Sequence, residues 1–307
     1  MERKSSINVF DYNDIVNAAL PVSEFYNWAG EVMSIAKDCI LPQKTRIHFT
    51  SEEYIHFLPC AIPGEGIVGL KVASRSVLRK NNGGFSVDAD IMLYSQDYFR
   101  LLSIMDGTFI TQARTAAIAV YTMLKVVEKY DVIAMVGLGG IGNMIGEMLF
   151  ERIKDKSVKV KLMRHKDHAE KFAEKFSAYT NITFEIVDSY EDLMRDSDVV
   201  LSSVSYIEND YCDPSVYKKG CTVIPVHMRG FMECDHEFDH IITSDLENVK
   251  NFKYYDKFKK LTSWDDIQSG KVKPRENADD RVLMYNSGLG IFDLYFANKI
   301  YQFFLNK

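Results

Sequence analysis

A glycine-rich turn between an apolar strand and an apolar helix constrains this chain more than any other feature. The turn reads Gly137-x-Gly139-x-x-Gly142, with five apolar residues before it and a helical pattern of Met, Ile and Leu after it. In this context the first glycine permits a tight turn, the second lets the backbone approach a pyrophosphate, and the third lets the helix pack closely. The free N–H groups of the helix N-terminus then face the phosphate oxygens. The motif predicts a dinucleotide site that includes Gly137, Gly139, Gly140, Ile141 and Gly142.

The chain that follows Asp131 alternates strands with helices. Apolar runs predict strands at 132–137, 158–164, 182–188, 198–203, 221–227 and 240–244, with helices between the early ones. This alternation is typical of an α/β fold with a doubly wound parallel sheet of the Rossmann type. We assign residues 113–284 to this NAD(P)-binding domain.

The N-terminal third has a different pattern. Residues 12–37 predict two helices broken at Pro21, with Ser23 as the N-cap of the second. Turn signals then separate strands predicted at 45–49, 54–58, 66–74, 85–94 and 99–105. Helices followed by strands with little alternation predict an α+β domain.

Two helices flank the Rossmann region. Thr111 is the predicted N-cap of a long helix that carries Arg114 in its first turn. The tail from Arg281 predicts a strand, a glycine turn and an apolar helix over 291–304. We do not expect this tail to continue the parallel sheet; we expect it to fold back onto the N-terminal domain, which would then comprise residues 1–112 and 285–307.

The end of the second Rossmann strand indicates which cofactor binds. An NAD site usually has an Asp or Glu about 20 residues after the glycines, bonded to the ribose 2′-hydroxyl. That position falls near Met163, where no acid stands; Arg164, His165 and Lys166 follow instead. A cationic cluster suits a 2′-phosphate, so the sequence favours NADP(H) over NAD(H). The alternative is that these charges form an ordinary solvated strand end.

Composition excludes several other classes. The 307 residues carry a net charge of −6, which argues against nucleic acid as a partner. The sequence contains no apolar run of about 18 residues and begins without a signal-peptide pattern, which predicts no membrane span. Five cysteines without a CxxC pair indicate reduced thiols and a cytoplasmic protein. The histidines show no metal-ligand spacing, so no metal site is expected.

Several segments, in this order and at about this spacing, resemble the ornithine cyclodeaminase/mu-crystallin family. They are KTR (44–46), FLPC to GLK (57–71), MDGTFITQARTAA (105–117), GLGGIG (137–142), SDVVLSSVS (197–205) and NSGLGIFDL (286–294). The resemblance implies a two-domain, NAD(P)-binding homodimer acting on the amine–imine interconversion of small amino acids. It also implies that the N-terminal α+β domain binds substrate. We expect this domain to form the dimer, helped by the tail helix 291–304, because a sheet of this kind has an exposed face that must be covered.

Matched residue by residue, Arg46, Lys71 and Arg114 stand where the family holds its substrate. The chemistry is sound in itself, because a guanidinium can bind a carboxylate with two hydrogen bonds. Lys71 lies in an apolar run, so burial would lower its pKa and suit it to polarise an imine or move a proton. The resemblance extends the cofactor contacts to Ser203, Val204, Ser205, His227 and Ser287. It implies that Lys71 and Arg114 lie within a few ångströms of the nicotinamide.

The chain departs from the family pattern after His227. There Arg229 replaces an asparagine, and the loop is several residues too short to hold the family's catalytic aspartate. Glu233 and Asp235 are nearby carboxylates without a secure match. Asp293 has two interpretations, a residue near the nicotinamide or a first-turn partner of the helix dipole.

The leading hypothesis is therefore an NAD(P)-dependent oxidoreductase or deaminase that transfers hydride between nicotinamide and a small amino or imino acid. One alternative is an NADP(H)-binding, mu-crystallin-like protein without turnover, and another is a true ornithine cyclodeaminase. The shortened loop disfavours ornithine cyclisation. A Rossmann reductase of sugars or hydroxy acids is weaker still, because no Tyr-x-x-x-Lys pair follows the fourth strand.

Overall fold

The computed structural model describes residues 7–84, 87–204, 207–227 and 230–307. They form two compact units. The first runs to Arg114 and resumes at Gly288, and the second is Thr115–Ser287. Arg229 and Ser205, which the sequence analysis singled out, lie outside the described residues.

The strands and helices are numbered along the chain. The strands are β1 Asn8–Phe10, β2 Thr45–His48, β3 Tyr54–Ile62, β4 Ile67–Arg75, β5 Val87–Ser95, β6 Leu101–Asp106, β7 Val132–Val136, β8 Val158–Met163, β9 Ile182–Val187, β10 Val199–Ser202, β11 Thr222–Pro225, β12 His240–Thr243, β13 Leu261–Ser263 and β14 Val282–Tyr285. The helices are α1 Tyr12–Asn17, α2 Val22–Ile35, α3 Val77–Asn81, α4 Thr108–Val126, α5 Gly140–Arg152, α6 His168–Lys175, α7 Tyr190–Met194, α8 Leu246–Val249, α9 Trp264–Gln268 and α10 Gly290–Leu305.

The first unit is a mixed sheet covered by helices on one face. Its strands lie in the order β1-β6-β5-β4-β3-β2, antiparallel except for the parallel β1–β6 pair. The covering helix α10 is apolar on every side and packs against α2 and strands β3 to β5. Because most of its residues are buried inside this unit, α10 is part of the core. The contribution of the tail helix to a dimer interface stays a prediction, and the exposed end of α10 near Leu305 is the part available for it.

The second unit is a parallel sheet of the doubly wound type. The strand order is β13-β12-β14-β11-β10-β7-β8-β9, and every pairing in it is parallel. The order reverses between β7 and β10, which is where ligands bind in such sheets. This arrangement bears out the α/β Rossmann prediction. One expectation was wrong: the tail strand β14 does join the parallel sheet, between β11 and β12.

Two helix starts also differ from the sequence prediction. Helix α4 begins at Thr108 rather than Thr111, because the Asp106 carboxylate accepts the Thr108 N–H at 2.8 Å and caps the helix three residues earlier. Helix α2 begins at Val22, with Pro21 at the N-cap position, which places Ser23 inside the helix. Among the described residues, no helix is long and apolar enough to cross a membrane.

Candidate active site

The glycine turn adopts the geometry that a bound phosphate requires. Gly137 has a φ of +85°, and a side chain there would collide with the backbone between Ser203 and Val204 at 2.4–2.6 Å. Gly142 lies against the Gly137 carbonyl oxygen, which a Cβ would approach to 2.3 Å. Gly139, in contrast, faces open space. The turn therefore has no room for side chains at Gly137 and Gly142, whereas Gly139, just before the helix, is accessible.

The open side of this turn is a place for an anion. Helix α5 begins at Gly140, and its first backbone hydrogen bond runs from the Asn143 N–H to the Gly139 carbonyl at 2.8 Å. The N–H groups of Gly140, Ile141 and Gly142 therefore have no acceptor within the helix. Both Gly139 and Gly140 are exposed. The residues present thus fit a dinucleotide pyrophosphate.

The neighbouring strand β10 braces the turn. The Ser203 hydroxyl donates to the Gly137 carbonyl at 2.5 Å, and Val204 packs against the apolar core of the second unit. The His227 Nε2 lies 2.9 Å from the Ser202 hydroxyl, which in turn bonds the Tyr211 hydroxyl at 2.7 Å. His227 therefore fixes the end of β10, directly before the residue that holds the turn.

The predicted cationic cluster after β8 is partly neutralised. Arg164 donates to Asp188 at 2.6 Å and forms a second short contact with Glu170. His165 and Lys166 are exposed, and Lys166 has a φ of +53°. A 2′-phosphate at this position would have to compete with two carboxylates for Arg164.

Ser287 is the last residue of the second unit and is buried there. Its N–H donates to the Ser244 hydroxyl at 2.9 Å, and its hydroxyl accepts the Asn248 amide at 3.4 Å. These bonds fix the chain where it leaves strand β14.

A buried group of ionised side chains occupies the first unit. Asp293 Oδ1 accepts hydrogen bonds from Lys71 Nζ at 2.8 Å and from Arg114 Nε at 2.9 Å. Lys71 also donates to the Thr111 hydroxyl at 2.7 Å. The exposed fractions are 5% for Lys71, 11% for Arg114 and 0% for Asp293. We call Lys71, Arg114 and Asp293 the buried triad; its net charge is +1.

The fold brings the triad together through a close contact between sheet and helix. Gly69 points to the same face of β4 as Lys71, and a Cβ there would lie 2.1 Å from a methyl group of Leu294. Only glycine lets α10 approach the strand this closely, so the aspartate beside Leu294 reaches Lys71. Asp293 lies in the first turn of α10, where the helix dipole favours a negative charge.

Burial and the neighbouring charges shift the pKa values of Lys71 and Asp293. Burial lowers the pKa of Lys71 to about 8; Asp293 opposes the shift, and Arg114 adds to it. Burial alone would raise the pKa of Asp293, but Arg114 and Lys71 outweigh it and the pKa is lowered. Asp293 is therefore a carboxylate at neutral pH, whereas Lys71 can gain or lose a proton near pH 8.

The guanidinium of Arg114 keeps hydrogen-bonding capacity beyond the triad. Asp293 takes its Nε, while the two terminal nitrogens lie beside Gly288, where a Cβ would stand 3.3 Å from the nearer one. Within the described part of the chain, neither terminal nitrogen has a protein acceptor. This fork of N–H groups has the geometry that binds a carboxylate with two bonds.

Arg46 occupies a different environment from Lys71 and Arg114. It lies on the edge strand β2, is exposed, and has its guanidinium 4.8 Å from the centre of the Tyr54 ring. Arg46 is thus on the sheet face that carries Lys71 but outside the buried triad.

The sequence suggested two roles for Asp293 but did not predict its contacts with Lys71 and Arg114. The signal was available: a carboxylate in a helix that is apolar all round must have a buried partner. Thr111, predicted as a helix cap, instead accepts from Lys71 and donates to the Gly107 carbonyl at 2.6 Å.

The two carboxylates after His227 lie in different environments. Glu233 is on the surface, where it accepts from Lys253 at 2.6 Å and Tyr254 at 2.8 Å. Asp235 is buried, 3.4 Å from the Tyr285 hydroxyl. Burial raises the pKa of Asp235 to about 7.

The fold and these residues define a class: a two-unit α/β protein with a Rossmann-type glycine turn in one unit and a buried lysine–arginine–aspartate triad in the other. Residues 16–217 match the sequence profile of the ornithine cyclodeaminase/mu-crystallin family. The chain belongs to this family, as the resemblance indicated.

Similar proteins agree with this assignment. The nodulation efficiency protein NfeD of Rhizobium meliloti is 27% identical over 273 residues, covering 85% of this chain and 83% of that protein. An archaeal alanine dehydrogenase dimer with bound NAD has the same fold, with a TM-score of 0.84, 19% identity, and coverage of 98% of this chain and 96% of that one. The Thermococcus litoralis Δ1-pyrroline-2-carboxylate reductase, solved with NADH and L-proline, gives a TM-score of 0.85 at 19% identity, covering 98% of both chains.

Proposed function

We propose that this protein is an NAD(P)-dependent oxidoreductase that interconverts the amine and imine forms of a small amino acid. The observation that carries the proposal is the buried triad, which places a lysine of lowered pKa beside an arginine with free N–H groups. Family membership supports the proposal, and so do the names of the structural relatives, a dehydrogenase and an imine-type reductase.

The cofactor we propose is a nicotinamide dinucleotide held through its pyrophosphate by the N–H groups of Gly140, Ile141 and Gly142. When bound, it supplies or accepts the hydride. Ser203, Val204 and His227 keep the turn in shape, and Ser205 and Ser287 remain proposed cofactor contacts.

The substrate chemistry follows from the triad. Arg114 would bind the substrate carboxylate with its two terminal nitrogens, and Arg46 would assist from the sheet edge. Lys71 gives two hydrogen bonds, to Asp293 and Thr111, and its remaining hydrogen or lone pair is available to the substrate nitrogen. Protonated, Lys71 polarises an imine; neutral, it accepts a proton from an amine.

The pKa of Lys71 sets the pH dependence of kcat/KM for both imine reduction and amine oxidation. Imine reduction needs the protonated lysine, so kcat/KM should fall above about pH 8. Amine oxidation needs the neutral lysine, so kcat/KM should rise toward about pH 8.

The test follows nicotinamide absorbance against a panel of amino acids, and of 2-keto acids with ammonia or amines. Lys71→Ala should lower turnover by roughly a hundredfold or more and leave cofactor affinity nearly unchanged. Arg114→Ala should mainly weaken substrate binding. Lys299→Ala is the matched control, because Lys299 pairs with Glu31 on the same unit. Full turnover by Lys71→Ala would contradict the proposal.

We propose NADP(H) as the preferred cofactor, as the sequence predicts. The carboxylates that hold Arg164 are both exposed, and exposed ion pairs contribute little because water and salt screen them. A phosphate dianion can therefore replace them. Lys166 and His165, both exposed, would complete the phosphate contacts.

Two other functions have less support. A dinucleotide-binding protein without turnover has no evident use for a lysine of lowered pKa with a free hydrogen-bonding position. A true ornithine cyclodeaminase needs the loop aspartate; Glu233 is paired with Lys253 and Asp235 contacts the Tyr285 hydroxyl, so either would have to leave these partners to replace it.

We also propose that the protein is a homodimer. On the sheet face opposite the triad, apolar side chains are exposed or half-exposed, among them Val9, Ile47, Leu70, Met92 and Ile104. Such a face is stabilised by a covering partner, and a second copy can offer the same surface. Five free cysteines support a cytoplasmic location.

A further inference from the structure

Thr111 connects the buried triad to the backbone of helix α4. Its hydroxyl accepts a hydrogen bond from Lys71 Nζ at 2.7 Å and donates to the Gly107 carbonyl, one turn earlier, at 2.6 Å. A hydroxyl has a single hydrogen, and Asp293 Oδ1, at 3.5 Å, is too far away for a good O–H···O bond. The hydrogen of Thr111 is therefore used by the Gly107 carbonyl, and toward Lys71 the hydroxyl acts only as an acceptor.

The position of this hydroxyl is set by backbone contacts. The Gly107 N–H donates to the Ala89 carbonyl of β5 at 2.6 Å, and a side chain at Gly107 would meet Ala89 and Ile91 at 3.0–3.1 Å. Strand β5 pairs with β4, where Ile91 lies directly opposite Lys71. The start of α4 is thus bonded to the sheet that carries Lys71, which fixes the hydroxyl of Thr111 beside the lysine.

Lys71 therefore has two partners that can only accept. Asp293, whose pKa is lowered, is a carboxylate, and Thr111 gives its hydrogen elsewhere. Both bonds can form whether Lys71 is charged or neutral, because an ammonium has three hydrogens and an amine has two. The hydrogen that leaves when Lys71 ionises is then the third one, which neither partner holds. A lysine in water rotates about its last bond and has no such preference.

We propose that Thr111 is a positioning residue that directs the third hydrogen, or the lone pair, of Lys71 toward the substrate nitrogen. This inference rests on the proposed function, because it takes Lys71 as the acid–base group. In imine reduction the third N–H donates to the imine nitrogen, and in amine oxidation the lone pair at the same place accepts the amine hydrogen. One position of the lysine nitrogen then serves both directions of the reaction.

A substitution at Thr111 leaves the charged surroundings of Lys71 in place. The titratable groups that act on the triad include Asp293 on α10, Arg114 on α4, and Cys60 and His56 on β3. Burial raises the pKa of Cys60 and lowers that of His56 to about 4, so both are neutral at pH 7. A change in the ionisation of Lys71 would therefore report the lost acceptor.

The first readout is the pKa of Lys71, measured by competitive labelling of lysines and peptide mass spectrometry. Thr111→Val removes the acceptor with little change in shape, and Thr111→Ser restores it. In Thr111→Val the pKa of Lys71 should fall from about 8 by about one unit, because the charged lysine loses a stronger hydrogen bond than the neutral one does. Thr111→Ser should return it to near the wild-type value.

The second readout is kcat for imine reduction at pH 6, where Lys71 is protonated in the wild type and in both variants. A loss of kcat at this pH reports the direction of the N–H bond and not its protonation. Thr111→Val should lose roughly tenfold in kcat, while KM for the 2-keto acid changes little because Arg114 still binds the carboxylate. Thr111→Ser should recover most of the loss.

Thr122→Val is the matched control on the same helix. The Thr122 hydroxyl also donates to a carbonyl one turn earlier, that of Ile118 at 2.8 Å, and also accepts a side-chain N–H, from Asn286 at 3.0 Å. Thr122→Val should lose stability but leave kcat and the pKa of Lys71 unchanged. If Thr111→Val does not fold, Thr111→Ala, which only removes atoms, gives the same comparison.

Two results would overturn the proposal. They are an unchanged pKa of Lys71 in Thr111→Val, and a kcat at pH 6 equal to that of the wild type. A wild type without turnover on any amino or keto acid would count against the proposed function instead. The labelling result would then still decide whether Thr111 holds the nitrogen of Lys71.

Discussion

Replacing Asp293 with asparagine tests whether its carboxylate controls the proton affinity of Lys71. The two charged atoms are 2.8 Å apart and buried. At an effective dielectric constant of about 20 their attraction is about 6 kcal/mol, or roughly four pKa units, and in a water-like medium it is about one unit. Asp293→Asn should therefore lower the pKa of Lys71 from about 8 by at least about one unit.

The same variant should lose stability by an amount that depends on pH. A pH of 7 is about one unit below the pKa of Lys71 in the wild type. In the variant, Lys71 can therefore avoid an unpaired buried charge by releasing its proton, at a cost of about 1.4 kcal/mol. Arg114 cannot release its proton, so the loss of its hydrogen bond to the Asp293 carboxylate costs about 1.5–3 kcal/mol. We expect a loss of about 3–4 kcal/mol at pH 7 and about 1 kcal/mol less at pH 9, where Lys71 is already neutral in the wild type.

Two assays read these changes. The pH profile of kcat/KM locates the ionisation of Lys71 during turnover, and competitive labelling of lysines followed by peptide mass spectrometry locates it in an inactive variant. Urea unfolding at pH 7 and 9 gives the stability difference. Glu31→Gln is the control, because Glu31 bonds Tyr295 and Lys299 on the same helix without touching the triad. An ionisation that stays at pH 8 or moves upward in Asp293→Asn would refute the reasoning.

Three further predictions concern the rest of the molecule. Arg164→Ala should weaken NADP(H) binding by roughly tenfold or more and leave NAD(H) binding nearly unaffected, measured by cofactor fluorescence; a wild-type preference for NAD(H) would contradict this. Light scattering at micromolar concentration should give the mass of a dimer, and a monomer would refute the assembly proposal. Asp235 has a pKa raised above that of the unfolded chain, so its contribution to stability is lost as pH rises from about 4 to above 7. Asp235→Asn should therefore lose less stability than the wild type between pH 5 and pH 8 in urea unfolding, and an equal loss in both proteins would count against this.

The parts of the fold that depend on local sequence patterns could be predicted. Glycine spacing and βαβ alternation are local patterns, and they located the dinucleotide turn and most strands of the parallel sheet. The tail strand β14 was misplaced because its position between β11 and β12 is a long-range pairing that no local pattern encodes. The start of α4 was misplaced because the cap is the carboxylate of Asp106, at the end of the preceding strand.

The candidate site was predicted as separate residues and not as an arrangement. Lys71 and Arg114 could be singled out by resemblance and by chemistry. Their shared counter-ion, Asp293, is 222 residues from Lys71, and the contact depends on Gly69 admitting α10 to the sheet.

The contact between Lys71 and Asp293 also affects the order in which the protein can fold during synthesis. During synthesis the segment that begins at Gly288 follows the whole second unit, so the first sheet is made long before its covering helix and its counter-ion. Until α10 arrives, Lys71 and Arg114 lack this counter-ion, and the sheet face that α10 covers is exposed to water. The triad therefore cannot form on a nascent chain. A chain ended before residue 288 could still form the Rossmann unit, but it would lack both the cover of the first sheet and the charge that keeps its lysine in place.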